Sequence, residues 1–216
     1  MPFAFPISLD LSGRRCVIIG SLPVHEGKVE ALIAGGATDV LVLATGPADL
    51  LDELEGRYGV RVERRDWAPE DLDGALLTIA WAPDQDERDR LAREARARGV
   101  LVNVVDDIPN CDWAMPSIVR RGELVLAISS GGASPALTKK LRMELQERFG
   151  EEWAEVLVVL REVREETLHL LPDFGERSRR WAAALDPDEA AALARGGRTS
   201  ELRDLLRARL LEDVRV

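Results

Sequence analysis

The sequence predicts a doubly wound parallel α/β domain followed by a helical tail, and three observations lead there. Short β-branched runs alternate with amphipathic helical stretches from the start of the chain to about residue 112. Those runs are apolar on both faces, as strands of a parallel sheet covered by helices on each side must be. Beyond Gly150 the pattern turns helical and charged, without strand-like runs.

Each element has its own local reason. Cys16 to Gly20 is a β-branched run closed by glycine and preceded by Ser12 and Gly13, which reads as a first buried strand. Residues 28–34 carry helical spacing through Val29, Leu32 and Ile33 and stop at Gly35 and Gly36, a helix C-terminal signal. Further strands are expected over 40–44, from 60 to 62, over 75–80 and over 100–105. Helices are expected over 50–58 and over 87–98, the second closed by Gly99. Ligands of such a Rossmann-like sheet bind beyond the carboxyl ends of its strands. Gly20, Ala44, Ala80 and Asp106 all stand at such ends and converge on one crevice.

From residue 113 the pattern changes. Residues 116–122 lead into a strand expected over 123–129, and a loop of Ser129, Ser130, Gly131, Gly132, Ala133, Ser134 and Pro135 opens a helix reaching about Phe149. Helices follow over 151–171, 175–185, 187–195 and 199–211, as an exposed bundle or a partner surface. The expected domains are thus 1–112, a small α+β segment over 113–150, and a helical C-terminal domain over 151–216.

Composition narrows the function. A formal net charge of −10 argues against nucleic acid, which calls for a basic footprint. No apolar run approaches the ~20 residues needed to span a bilayer, and residues 1–6 lack a basic n-region. A cytoplasmic protein with no membrane partner is expected. Cys16 and Cys111 lie far apart without Cys-x-x-Cys spacing, so no disulfide framework is expected, and Cys16 reads as a small core residue. His25 and His169, the only histidines, have no ligand spacing, so no protein-held metal is expected. Residues 113–150 are locally basic, with six Lys/Arg against three acids, which suits either an anionic ligand or a solvated helix face.

Three motifs bear on chemistry. The first strand-to-helix turn, Gly20-Ser21-Leu22-Pro23-Val24-His25, stands where a dinucleotide site places Gly-x-Gly-x-x-Gly. Only the first glycine is present, so the turn is either plain or a reshaped loop holding NAD through Gly20, Ser21, Leu22, Pro23, Val24, Thr45 and Gly46. Asp106, following Asn103 at the fifth strand's end, is a general-base candidate or an ordinary turn residue. The Ser130, Gly131 and Gly132 loop, with Lys139 just inside the helix, suits carboxylates or phosphates. It also suits a capped helix start with Ser134 as N-cap and Pro135 at N1, and both readings can hold together.

In their order, segments 5–20, 71–80, 99–107, 116–122, 127–135 and 174–181 resemble the precorrin-2 dehydrogenase family, the dehydrogenase and ferrochelatase half of siroheme synthases. The resemblance implies NAD-dependent oxidation of precorrin-2 to sirohydrochlorin in siroheme or cobalamin biosynthesis. In some members it also implies insertion of Fe²⁺ as a substrate metal. It implies a homodimer joined through residues 113–150 and an anionic tetrapyrrole as partner. Asp106 matches the carboxylate used in both reactions, and Ser130 a serine at the tetrapyrrole pocket. Asn103, Gly131, Gly132, Arg120 and Lys139 are expected beside it. The resemblance brings no methyltransferase domain to this chain. Departures cluster on the nucleotide side: Leu22, His25, Gly27 in place of arginine, and Ala80-Trp81-Ala82-Pro83-Asp84 in place of Ala-Thr-Asp-Asp. They leave open a member that has lost NAD and acts only as a metal chelatase or tetrapyrrole-binding protein.

Overall fold

A computed structural model describes residues 5–20 and 25–212, and the chain divides into two compact units, Met1–Met115 and Pro116–Val216. In the first, strands β1 (Arg15–Ile19), β2 (Asp39–Leu43), β3 (Arg61–Glu63), β4 (Ala75–Ala80) and β5 (Leu101–Val104) form one sheet in the order β3-β2-β1-β4-β5. Every pairing is parallel. The order reverses beside β1, which makes the C-terminal ends of β1 and β4 the switch point where such sheets bind ligands.

Alternation along the strands explains why the runs are apolar throughout. Cys16, Ile18, Val40, Val42, Leu77 and Ile79 pack on one face with Val29 and Leu32 of α1 (His25–Ala34) and Leu51 and Leu54 of α2 (Ala48–Tyr58). Val17, Ile19, Leu41, Leu43, Val102 and Val104 pack on the other with Leu91, Ala92 and Ala95 of α3 (Gln85–Ala97). Each fully buried Val, Leu or Ile contributes roughly 1.5–3 kcal/mol relative to exposure, so two covered faces stabilise even five-residue strands. Cys16 is fully buried, and burial, helped by the Asp39 charge, pushes its thiol up to about 11. It is the inert core residue expected.

The second unit opens with an antiparallel hairpin of β6 (Ser117–Arg121) and β7 (Leu124–Ile128). Only the second of these strands is expected from the sequence. The first forms because Gly122, at φ +56, turns the chain within two residues and brings Arg121 opposite Leu124. Helix α4 (Pro135–Arg148) packs on this hairpin yet buries none of its own side chains. Helices α5 (Glu152–Thr167), α6 (Phe174–Ala184), α7 (Pro187–Arg195) and α8 (Thr199–Leu211) close around Val156, Val159, Val163, Leu193, Leu202, Leu206 and Leu210. Helix α5 ends at Thr167 rather than running to 171. Pro172 has no N–H to continue a helix and disfavours helical backbone at Leu171, whose N–H turns back to the Thr167 carbonyl. Among the described residues no helix is long and apolar enough to cross a membrane.

Candidate functional site

The end of β1 is drawn against the end of β4. Gly20 has φ +123, and its N–H donates to the Leu43 carbonyl at 3.0 Å. A Cβ at this position would stand 2.4 Å from the Trp81 carbonyl oxygen, so only glycine fits. The glycine predicted from the nucleotide fingerprint is thus required by a strand-to-strand approach in the sheet itself. Ser21, Leu22, Pro23 and Val24 lie outside the described residues, as does the side chain of His25, so the departures at Leu22 and His25 fall there too.

Beyond these strand ends lies a crevice of about 400 Å³ lined by Gly20, Ala44, Thr45, Asp66, Trp67 and Trp81, among others. Thr45 is exposed at the end of β2, and Gly46 follows it, exposed, in the same loop. The charges around the crevice are largely spent on one another. Arg65 donates to Glu63 at 2.6 Å and to both Asp71 oxygens at 2.6 and 2.7 Å. The Arg65 guanidinium in turn holds the Asp71 carboxyl below the ordinary carboxylate range, against a smaller opposing effect of burial. Trp67 donates its indole N–H to Glu87 at 2.7 Å, and Arg90, paired with Glu87, sits 4.6 Å from the ring centre. Asp66 and the Trp81 indole N–H have no side-chain hydrogen-bond or ionic partner among the described residues.

The unusual segment 80–84 is stapled to α3. Arg88 donates to the Ala82 carbonyl at 2.8 Å and the Pro83 carbonyl at 3.0 Å, and Asp84 caps the helix by accepting from the Glu87 N–H. The crevice fits a nucleotide by position and by donor set. An indole offers a flat face to a base, and the Thr45 hydroxyl and Asp66 carboxylate suit ribose hydroxyls.

Asp106 follows β5 at the same edge of the sheet. It is exposed, has φ +61, and is the only non-glycine residue with positive φ among those described. The two neighbouring polar side chains have structural partners. Asn103 donates to the Trp113 carbonyl at 2.8 Å, which ties the segment after β5 to the strand. Asp107 is buried and accepts from Gln85 and Asn110, both at 2.9 Å. Sequence reading singles out Asp106 at the strand end and misses Gln85 and Asn110. The chain order carries no signal for the Gln85 contact, since that residue comes from α3, 22 positions away.

In the second unit the serine-glycine loop is internally braced. Ser130 Oγ accepts from the Ser134 N–H at 3.0 Å, Ser129 Oγ accepts from the Gly131 N–H, and Gly131 and Gly132 have φ +60 and +83. Ser134 is the N-cap of α4, accepting from the Leu137 N–H, with Pro135 following it as expected. Of the basic residues, Arg121 is used within the fold: it donates to the Phe149 and Gln146 carbonyls at the end of α4. The Arg120 guanidinium and the Lys139 and Lys140 ammonium groups have no acceptor among the described residues, and both lysines are exposed. The first unit thus collects Gly20, Ala44 and Thr45 at one crevice, whereas Ala80 and Asp106, expected to converge there, are not among its lining residues. The second carries Arg120, Ser130, Gly131, Gly132 and Lys139.

Comparison with known proteins matches both parts of the chain. Residues 7–117 match the family described as putative NAD(P)-binding, and residues 121–148 match the family described as sirohaem biosynthesis protein central. The siroheme synthase of Chromobacterium violaceum is 34% identical over 200 residues, covering 89% of this chain and 41% of that protein. The siroheme synthase of Nitrosospira multiformis is 35% identical over 185 residues, covering 83% of this chain and 39% of that protein. The chain therefore spans about two fifths of the length of these curated relatives. Among solved structures, one titled "SirC, precorrin-2 dehydrogenase" superposes with a TM-score of 0.69 at 24% identity, covering 94% of this chain and 98% of the other, a likeness of fold.

Proposed function

Because the chain belongs to the N-terminal siroheme synthase family, a putative NAD(P)-binding domain followed by the sirohaem central segment, we propose that it is an NAD-dependent precorrin-2 dehydrogenase forming sirohydrochlorin. The crevice at the β1/β4 switch point carries this reading: it stands where a dinucleotide belongs, and Arg65, the one lining cation among the described residues, is already committed to acids. Gly20, Thr45 and Gly46, with residues 21–24, would hold NAD, which supplies the hydride acceptor when bound. Asp106 takes the proton released as the tetrapyrrole loses its hydride. Its carboxylate is exposed and has no competing partner among the described residues.

The substrate is polyanionic, and Arg120, Lys139 and the backbone N–H groups of the Ser130, Gly131 and Gly132 loop offer charge and donors to its carboxylates. Asn103 supports the site by fixing the strand before Asp106. The protein works in the cytoplasm as a homodimer joined through 113–150, where Val125, Leu137, Leu141 and Met143 leave apolar surface exposed. The family resemblance also implies insertion of Fe²⁺ as a substrate metal. Asp106 could then accept the pyrrole N–H protons that metal insertion displaces.

The deciding experiment pairs NAD⁺ titration by calorimetry with precorrin-2 turnover followed as NADH formation. The wild type should bind NAD⁺ and turn over, while Asp106→Ala should bind NAD⁺ and lose ~10²–10⁴ in rate. Wild-type activity in Asp106→Ala would overturn the assignment of the base. Absence of NAD⁺ binding would replace the dehydrogenase with a metal chelatase or tetrapyrrole-binding protein.

A further inference from the structure

The described residues place glycine at nearly every left-handed backbone position: Gly13, Gly36, Gly59, Gly74, Gly99, Gly122, Gly131, Gly132 and Gly197 all have φ between +56 and +91. Asp106, at φ +61, is the exception. Glycine would meet that turn without steric cost, whereas an L-residue with a Cβ is strained there and persists only where its surroundings over-determine it. Aspartate tolerates this region better than most L-residues, yet it still carries a Cβ there that glycine would not.

The side chain of its neighbour Asp107 belongs to a closed ring of four side chains. Gln85 Nε2 donates to Asp107 Oδ2 and to Asp89 Oδ1, both at 2.9 Å. Asn110 Nδ2 donates to the same two oxygens, at 2.9 and 2.6 Å. Both protons of each amide are thus used, and two carboxylates are bridged by two neutral groups through charge-assisted bonds. The Asp89 carboxyl lies below its ordinary range because Gln85 and then Asn110 donate to it. Gln85 and Asp89 belong to α3, while Asp107 follows the turn after β5 and Asn110 ends the short 3-10 helix Ile108–Asn110, so the ring ties the residue next to Asp106 to a rigid helix. The Asp107 N–H closes the turn on the Val104 carbonyl at 3.1 Å.

We propose that Gln85, Asp89, Asp107 and Asn110 form a clamp that holds Asp106 in its left-handed conformation, making them positioning residues for the Asp106 carboxylate. The clamp rests on the proposed role of Asp106 as the base. Displacing a reacting group by about 1 Å can cost about 10² in rate without altering how ligands bind.

Two readouts test it. In kinetics, Asn110→Ala, and Gln85→Met at an exposed helix position in case the first variant folds poorly, should lower kcat at least tenfold. KM for precorrin-2 and NAD⁺ affinity should stay within about twofold. In thermal melts, which do not depend on catalysis, Asp106→Gly should raise Tm in the wild type by relieving the strain. That gain should vanish in the Gln85→Met and Asn110→Ala backgrounds, where the turn has already relaxed. Wild-type kcat in folded clamp variants would overturn the proposal, as would a Tm gain from Asp106→Gly of equal size with and without the clamp. Failure of Asp106 as the base would instead appear as an active Asp106→Ala, with the melting result left standing.

Discussion

Adding one methyl group at Gly20 tests the contact that joins the two central strand ends. In Gly20→Ala the new Cβ would lie 2.4 Å from the Trp81 carbonyl oxygen, where ordinary contact begins at 3.4 Å, a shortfall of about 1 Å against backbone. The residue is also held at φ +123, outside the regions open to L-residues. Backbone strain of this kind costs roughly 1–3 kcal/mol, and overpacking typically a further 1–3 kcal/mol. The sum is roughly 2–6 kcal/mol, which at about 2–4 °C per kcal/mol for a chain of this size lowers Tm by roughly 4–24 °C. Gly59→Ala is the control. Gly59 has φ +64 as the C-cap of α2, but a Cβ there meets nothing within 4 Å. It should therefore cost only the left-handed conformation, roughly 1–2 kcal/mol. Circular-dichroism melts and urea titrations of the two variants give the comparison. If Gly20→Ala is no worse than Gly59→Ala, the approach of β1 to Trp81 does not constrain the fold, and Gly20 is held by ligand chemistry alone.

Two further outcomes are expected. Replacing Arg120 and Lys139 together by glutamine should weaken tetrapyrrole binding several-fold at low ionic strength. The deficit should shrink as salt screens the wild-type advantage; equal affinities at low salt would leave both residues as helix and strand surface. The Asp71 carboxyl is depressed by Arg65, so the stability it adds is fully present above the unfolded value of about 3.9 and is lost as pH falls through the lower folded value. Asp71→Asn should therefore be less stable at neutral pH and show a flatter stability profile below about pH 4; parallel acid limbs in urea titrations at several pH values would contradict this.

The layered sheet was legible because its signals are local. A strand buried on both faces is apolar at every position, and Val17 and Ile18 serve opposite cores a single residue apart. The glycine stops, the Ser134 cap and the inert Cys16 follow from the same nearest-neighbour chemistry. The β6 strand was not legible, since Arg120 and Arg121 break its apolar run and its pairing depends on the turn at Gly122. The basic stretch could be counted but not sorted. Only the fold shows Arg121 spent on the end of α4 while Arg120 and Lys139 have no acceptor among the described residues.

The sequence alone determined the alternation of strand and helix, the glycines that end elements, and a carboxylate at the close of β5. Tertiary structure alone decided that Gly20 must stay bare against Trp81, that Asp106 is held left-handed, and that Gln85 and Asn110 close a ring around its neighbour. The reason is range. Periodicity and capping act between residues a few positions apart, whereas these contacts join residues that only the closed sheet and its docked helix bring within hydrogen-bonding or van der Waals distance.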